Sequence, residues 1–426
     1  MNYIKNFTEL ATTPARQDAL NILNAGYDAV NTERVLAKKV KMKNETLFIK
    51  EESYSLADHK NIYFVGIGKC ALEAGRFIEE LLGDHLKDGI VIDTSEGTLD
   101  RIRTYSGTHP YPSEQNISAT KEITDLLGSA SEDDLVIMVI SGGGSALLCL
   151  PLDENSEHLS EITRSLTKAG ADIYELNTVR KHLSAVKGGQ LAKMSHPAKV
   201  ATLLFSDVLG DDVSVIASGP TVKDETTVEE AEKILKKYQL LWEGDDKLDL
   251  EETPKEDKWF EKVQNFLIVT NSDAIGAMEE KARELGYETV TGSKTISGKA
   301  HLVGKKFAET ELAPGQVMIS GGETTVNIKG SGKGGRNQET ALATLPYLTP
   351  QKVFISAASD GIDNTDAAGA LSDEKLKKEA EKLHLDPKRF ISENDSYHFF
   401  QRAGGQIFTG ATGSNVSDLY ILLNYK

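Results

Sequence analysis

Ile62-Tyr63-Phe64-Val65-Gly66-Ile67-Gly68-Lys69-Cys70-Ala71 runs from four apolar residues into a glycine turn and on into a helical stretch containing Leu72, Phe77 and Ile78. Further apolar runs lie at Ile90-Val91-Ile92, Leu135 to Ile140 and Val200 to Phe205, and the pattern of apolar run, glycine-rich turn and helical period repeats. Continuous rather than alternating hydrophobicity is what strands covered on both faces require, as in a parallel sheet. The spacing predicts an α/β layered domain.

Working outward, Leu20, Leu23, Tyr27 and Val30 share one helical face, so an amphipathic helix opens the chain. From Glu243 to Asp257 eight acidic residues stand against two lysines, which reads as a solvated linker after an N-terminal domain of residues 1–242. Thr253-Pro254-Lys255-Glu256 has the order of an N-cap, a first-turn proline and a capping acid, and predicts a new helix there. Beyond it Phe266 to Val269, Val317 to Ser320 and Val353 to Ser356 resume the strand rhythm, giving a second α/β domain over residues 258–426.

The 426 residues carry 48 basic and 65 acidic groups, a formal charge of −17, and lack the excess of lysine and arginine that holds a phosphate backbone. General nucleic-acid binding is excluded, and any anionic ligand must be held by local charge. The longest apolar run beside a turn signal, Leu135 to Ile140, is far short of the roughly 20 residues that cross a bilayer. Met1 to Leu10 lacks the order of a secretory signal. Cys70 and Cys149, in unrelated segments, read as small buried hydrophobes of a cytoplasmic protein.

Several loops could carry chemistry. Gly66 and Gly68 would let backbone amides approach an anion, with Lys69 adding a full charge, while Asp93 at the next strand's end could bind a ribose. Ser141-Gly142-Gly143-Gly144-Ser145-Ala146 places three glycines in a row, each costing about 1 kcal/mol relative to alanine, more than a turn alone needs. Close approach of backbone to a ligand is the better reading. Leu147 breaks the G-x-S-x-G elbow, so Ser145 is not read as a hydrolase nucleophile.

In the second domain Ser320-Gly321-Gly322-Glu323-Thr324 follows a strand, and Gly330 to Glu339 reads as a flexible cationic loop with Lys333 and Arg336. An arginine fork there suits carboxylate or phosphate. Asp207 with Asp211 and Asp212, and Asp360 with Asp363 and Asp366, follow strands, where carboxylates can hold Mg²⁺ or accept a proton. Arg180, Lys181, Lys187 and Lys193 form either a positive wall near the site or a solvated helix face. His109 lies in a turn, where a structural role is the plainer reading. No H-E-x-x-H and no paired C-x-x-C predicts a zinc site.

Glycine-rich cradles, nearby cations and strand-end carboxylates are what phosphoryl transfer asks of a protein. The Walker A, H-R-D and D-F-G signatures are absent. The chain resembles the class II glycerate kinases, the glycerate 2-kinase family with a C-terminal MOFRL domain. The matches are Gly66-Ile67-Gly68-Lys69, Thr108-His109-Pro110, Ser141 to Leu147, Asn177 to Ser184, Ser206-Asp207-Val208, Ala217 to Thr221, Ser320 to Thr324, Gly334 to Glu339, Ser359 to Asp363 and Thr412 to Leu419. Departures are Ala411, Ser414 and Asn364, where proline, threonine and glycine are expected.

The resemblance implies two α/β domains with mostly parallel sheets, a Rossmann-like N-terminal domain and a smaller MOFRL-type one, with the active site in the cleft between them. It implies ATP- and Mg²⁺-dependent phosphorylation of the C2 hydroxyl of D-glycerate to 2-phosphoglycerate. Lys69 and Arg336 fall on the family's lysine and arginine and are expected to be catalytic, together with Asp207 and Asp360, which would also hold Mg²⁺. Gly66, Gly68, Ser141, Gly142, Gly143, Gly144, Ser145, Gly321, Gly322, Glu323 and Asn337 are expected to bind phosphate or nucleotide, and Arg180 and His109 the substrate. Expected partners are D-glycerate and ATP, with no nucleic acid and no membrane; a homodimer is allowed. The rival readings are an NAD(P)-dependent hydroxypyruvate reductase built on Gly66 to Ala71 and Asp93, and a non-catalytic phosphate or nucleotide sensor that would leave the strand-end carboxylates without a use.

Overall fold

The computed structural model describes residues 2–153, 155–240 and 248–426. The chain divides into two compact units, Val35–Ile268, and Met1–Arg34 with Val269–Lys426.

The Val35–Ile268 unit begins with an antiparallel meander, β1 (Val40–Lys43), β2 (Thr46–Ile49) and β3 (Glu52–Ser55). Six strands follow: β4 (Ile62–Ile67), β5 (Leu86–Asp93), β6 (Ile102–Ser106), β7 (Leu135–Ile140), β8 (Lys199–Phe205) and β9 (Val263–Val269). They form one sheet in the order β6-β5-β4-β7-β8-β9, and the four pairs from β6 to β8 are parallel. On one face Val65, Ile67, Val136, Met138 and Ile140 pack with Ala119, Ile123 and Leu127 of helix Glu114–Gly128. On the other, Phe64 and Gly66 meet helix Ala71–Leu82, which buries Ala71, Ala74, Ile78 and Leu82 at helical spacing. Coverage on both faces explains the continuous runs, and each fully buried aliphatic side chain contributes about 1.5–3 kcal/mol. The strand order reverses direction between β4 and β7, and open α/β sheets bind ligands outside the carboxyl ends of the strands at such a reversal.

Three sequence expectations change here. Phe266 to Val269 belongs to β9, the edge of this sheet, rather than to a second domain. The described part of the acidic stretch is packed rather than solvated: Leu248 and Leu250 lie against Leu166, Val179 and Leu235 of the satellite helices Ser156–Ala169, Ile173–His182 and Val228–Lys237. Residues 243–247 lie outside the described residues. No helix starts at Thr253, whose buried hydroxyl donates to Asp224 (3.1 Å) instead of capping; a single 3₁₀ turn forms at Asp257–Trp259.

The second unit carries β10 (Glu288–Thr291), β11 (Ile296–Lys299), β12 (Gln316–Thr325), β13 (Lys352–Ala358), β14 (Gly369–Asp373), β15 (Gln406–Ile407) and β16 (Asp418–Asn424). The order is β10-β12-β16-β13-β14-β15, with β11 added on β12. This sheet is mixed rather than mostly parallel: β10 and β11 run parallel to β12, and the remaining pairs are antiparallel. Continuous hydrophobicity reports that both faces are covered; it carries no information on strand direction.

One face takes Phe307, Ala341 and Leu342 from helices Ala300–Glu309 and Arg336–Thr344 against Phe354, Tyr420 and Leu422. The other takes helices Pro14–Val30 and Asn271–Glu284, which approach so closely that a Cβ on Gly26 would lie 2.7 Å from the Met278 sulfur. The buried Arg16 guanidinium donates to both oxygens of Asp373 at 2.6 Å, and the Tyr27 hydroxyl donates to the Ala358 carbonyl at 3.1 Å. The opening helix therefore packs with residues 269–426, and the unit boundary does not coincide with the acidic stretch. Among the described residues no helix is long and apolar enough to cross a membrane.

Candidate active site

At the reversal point of the first sheet the turns after β4 and β7 interlock. The Lys69 amide donates to the Gly142 carbonyl (3.0 Å), the Ser141 amide to Ile67 (2.9 Å), and the Cys70 amide to the Ser141 hydroxyl (3.3 Å). Gly68 has φ of 118°, and a Cβ there would overlap the Ser141 side chain, so only glycine allows the two turns to meet. Gly143, with φ of 84°, sits where a Cβ would be 3.2 Å from Lys69 Cγ and 3.3 Å from His109 Cδ2. Lys69, Gly143 and His109 are thus immediate neighbours.

A cavity of about 200 Å³ opens beside this turn, lined among others by His109, Gly143, Ser145, Thr163, Arg180 and Lys187. The Ser145 hydroxyl lies 3.2 Å from that of Ser218, which donates to Asn177 Oδ1 at 2.7 Å. Ala217 and Ser218 both hold left-handed φ (49° and 64°) beside the glycine turn, a conformation that costs about 1–3 kcal/mol for a non-glycine residue and accumulates at ligand sites. Lys187 is fully buried, donates to the carbonyls of Ser145 (2.9 Å) and Leu148 (2.6 Å), and is pushed down to about 8 by burial and by the Arg180 charge. Burial likewise lowers Arg180, and among the described residues no carboxylate pairs with it. An arginine and a lysine lining one cavity with no described carboxylate paired to either give it the positive potential to receive a small anion.

The second unit presents a different arrangement. Arg336 opens helix Arg336–Thr344 and donates from Nε and Nη2 to Asp418 (2.6 and 3.0 Å), while Nη1 pairs with Glu323 (2.8 Å). Burial opposes its charge, but Asp418, Glu323 and Asp363 outweigh that and raise the guanidinium above its ordinary value. Asp418 is fully buried. Asp363 accepts the amides of Asn337 (3.0 Å) and Gln338 (2.9 Å), and burial, with Asp418 nearby, pushes it up to about 6 although those amides pull the other way.

Comparison with known proteins bears on this geometry. Residues 18–248 match the model of a domain of unknown function, DUF4147, and residues 316–418 match the MOFRL family model. The glycerate 2-kinase of Pyrococcus horikoshii is 37% identical over 434 residues, covering 96% of this chain and 97% of that protein. The chain belongs to the glycerate kinase family. The D-glycerate 2-kinase of Thermotoga maritima is 36% identical, over 93% of this chain and 99% of its own. A crystal structure of a glycerate kinase from the same organism superposes with a TM-score of 0.83 at 34% identity, covering 96% of this chain and 99% of that one. The reaction of this family uses a nucleotide, and the two-domain α/β architecture agrees with the family's solved fold.

Within this family fold several expected site residues take other positions. Gly66 is inside β4, where its missing side chain admits Ala71 and Val91, so it supports helix packing rather than an anion. Gly321 and Gly322 are strand residues of β12 rather than a turn; a Cβ on Gly321 would overlap Asn271. Asn337 is fully buried, its amide donating to Asp363 and Asp418 (3.3 and 2.8 Å) and its oxygen accepting from Ser356 (2.6 Å), which leaves nothing for a nucleotide. The Gly330–Gly335 loop is anchored: Lys333 receives the Tyr397 amide on its carbonyl, donates its own amide to Asp395 and stacks its ammonium 3.8 Å from the Tyr397 ring. Asp93 accepts the Leu72 amide on Oδ2 and the Ser95 amide on Oδ1 (both 2.9 Å), so the expected ribose acid caps a helix instead. The Asp360 carboxylate accepts the Ile362 amide (3.0 Å) in its turn, and Asp207 follows β8, the strand paired with β7, which leads into the glycine turn. Asn364 adopts φ of 54°, the region glycine favours and asparagine tolerates.

The basic run separates into distinct roles. Arg180 and Lys187 line the cavity, Lys181 forms a buried pair with Asp224 (2.9 Å), and Lys193 lies 5.9 Å from the Trp259 ring. Sequence reasoning missed Asp418 as the anchor of Arg336 and Lys187 as a buried prop. The Gly188-Gly189 pair beside Lys187 was the available signal, since a solvated helix face would not contain it.

Proposed function

We propose that the protein transfers the γ-phosphoryl group of ATP to the C2 hydroxyl of D-glycerate, giving 2-phosphoglycerate and ADP. One observation carries the reading: the cavity at the strand-order reversal holds Arg180 without a carboxylate partner beside the buried Lys187. A volume of about 200 Å³ suits a three-carbon acid, below the several hundred Å³ usual for larger ligands. Arg180 would take the substrate carboxylate as a planar fork, and His109 would direct the hydroxyls. Lys69 and the amides of Gly142 to Ser145 would hold anionic phosphoryl oxygens, where preorganised donors act on developing charge.

In the transfer the substrate O2 forms a bond to phosphorus, the bond from phosphorus to the ADP oxygen breaks, and the hydroxyl proton passes to a carboxylate. Asp207 is the acid after β8, the strand paired with β7, which leads into the glycine turn, and it suits this role. Mg²⁺ commonly takes only one or two carboxylates and completes its shell with phosphates and water, a demand Asp207 can meet. Bound there, the ion would neutralise phosphate charge. Cys70 and Cys149 are both buried and not joined in a disulfide, which fits a reducing cytoplasm.

The test is an ADP-release assay over a panel of small hydroxy acids, followed by assignment of the phosphorylated carbon. D-glycerate should be the preferred acceptor, yielding the 2-phosphate. Release of 3-phosphoglycerate, or binding without ADP release, would replace the reading.

A further inference from the structure

Lys187 is fully buried, without a carboxylate in contact, and directed at main-chain carbonyls. Those carbonyls belong to Ser145, inside the one-turn helix Gly144–Leu147 that follows the glycines, and to Leu148, which caps it. So short a helix leaves most of its carbonyls without internal partners. The ammonium bridges the Ser145 and Leu148 carbonyls, and Lys187 lines the cavity with Arg180 and His109.

We propose that Lys187 is a positioning residue: it clamps the Gly143–Leu148 turn from beneath, so that the turn's amides and the cavity's positive field are set before an anion arrives. This rests on the acceptor-site reading above and extends it to a residue that does none of the bond-making. A neutral side chain of the same length would keep the volume but release both carbonyls and remove a charge from a site where Arg180 remains. The ionisable groups beside Lys187 are Arg180 and the Cys149 thiol, which burial pushes up to about 11, with His109 lining the same cavity. Raising the pH through about 8 should therefore discharge Lys187 before that thiol ionises.

The experiment combines hydrogen exchange with kinetics on the full-length protein. In Lys187→Met, amides of residues 143–148 should exchange about tenfold faster or more, while those of β4 and β7 keep their protection. In the wild type, KM for D-glycerate should rise as pH increases through about 8; in the variant it should be about tenfold higher at pH 7 and lack that rise, with kcat less affected. Unchanged exchange in a folded variant overturns the proposal, as does a wild-type KM that is flat between about pH 7 and 9. If the variant does not fold, the wild-type profile decides. If glycerate is not a substrate, the exchange result still answers, which separates failure of this inference from failure of the acceptor assignment.

Discussion

Arg180 and Arg336 are both arginines in basic stretches that also carry paired glycines, yet one lines a cavity with no carboxylate partner among the described residues and the other is held by Asp418 and Glu323. The first has charge to offer a ligand. The second has already spent three of its five N–H groups on carboxylates, and with Asp363 close by, its surroundings are more acidic than basic. A motif rich in glycine and arginine therefore reports where a guanidinium sits; only its partners report whether it can receive an anion.

The largest expected effect separates the two by stability. Arg336→Ala leaves Asp418 buried and without its counter-charge, which should cost about 3–5 kcal/mol in urea unfolding. A loss under about 1 kcal/mol would show that the acidic cluster does not depend on Arg336, and the contrast would collapse. Arg180→Ala removes no ion pair, so its unfolding midpoint should stay close to the wild type. Its kcat/KM for glycerate should fall about 100-fold, the loss of a charge-assisted contact of about 2–3 kcal/mol. Lys in place of Arg180 should recover only part, because an ammonium does not reproduce the fork.

The contrast also marks what a sequence can and cannot disclose. The turns after β4 and β7 were legible because a glycine run after a continuous apolar strand has few other uses, and the structure brings Gly68, Lys69, Ser141 and Gly143 together. The pairing of Arg336 with Asp418 was not, since 82 residues separate the partners and neither position has a local pattern that names the other. The opening helix shows the same limit: Leu20, Leu23 and Tyr27 declare an apolar face, but which sheet receives it depends on non-local packing. Gly321 and Gly322 were misread because glycine after an apolar run is the usual mark of a turn, whereas here β12 continues through both and they make room for Asn271 and Ile296. Lys187 hid among basic neighbours, where burial has no signature in composition.

Asp363 offers a smaller test of the compensated region. Its carboxyl rises from an unfolded value of 3.8 to about 6 in the folded state, so the folded chain binds the proton more tightly. Its contribution to stability is thus fully present below about pH 4, is lost as pH rises through about 6, and is flat beyond. The amplitude should be on the order of 3 kcal/mol. Asp363→Asn should remove that slope from unfolding curves recorded between about pH 4 and 6. A variant that keeps the wild-type slope would assign the acid dependence to other groups and take Asp363 out of the Arg336 cluster's electrostatics.

The smallest effect bears most directly on what Arg336 does. Glu323 is 42% exposed, so converting it to Gln removes a half-solvated ion pair and should cost under about 1 kcal/mol, readable as a slight shift of the urea midpoint. The bidentate bond from Asp418 remains, and Arg336 should keep its place. If the guanidinium serves the fold alone, steady-state constants for both substrates should stay within about twofold of the wild type. If it also meets an anionic oxygen of the nucleotide, removing the competing carboxylate should strengthen that contact and lower KM for ATP severalfold, with little change in stability. Such a drop would give Arg336 a ligand-binding role beside Arg180 and reduce the difference between the two from kind to degree of compensation.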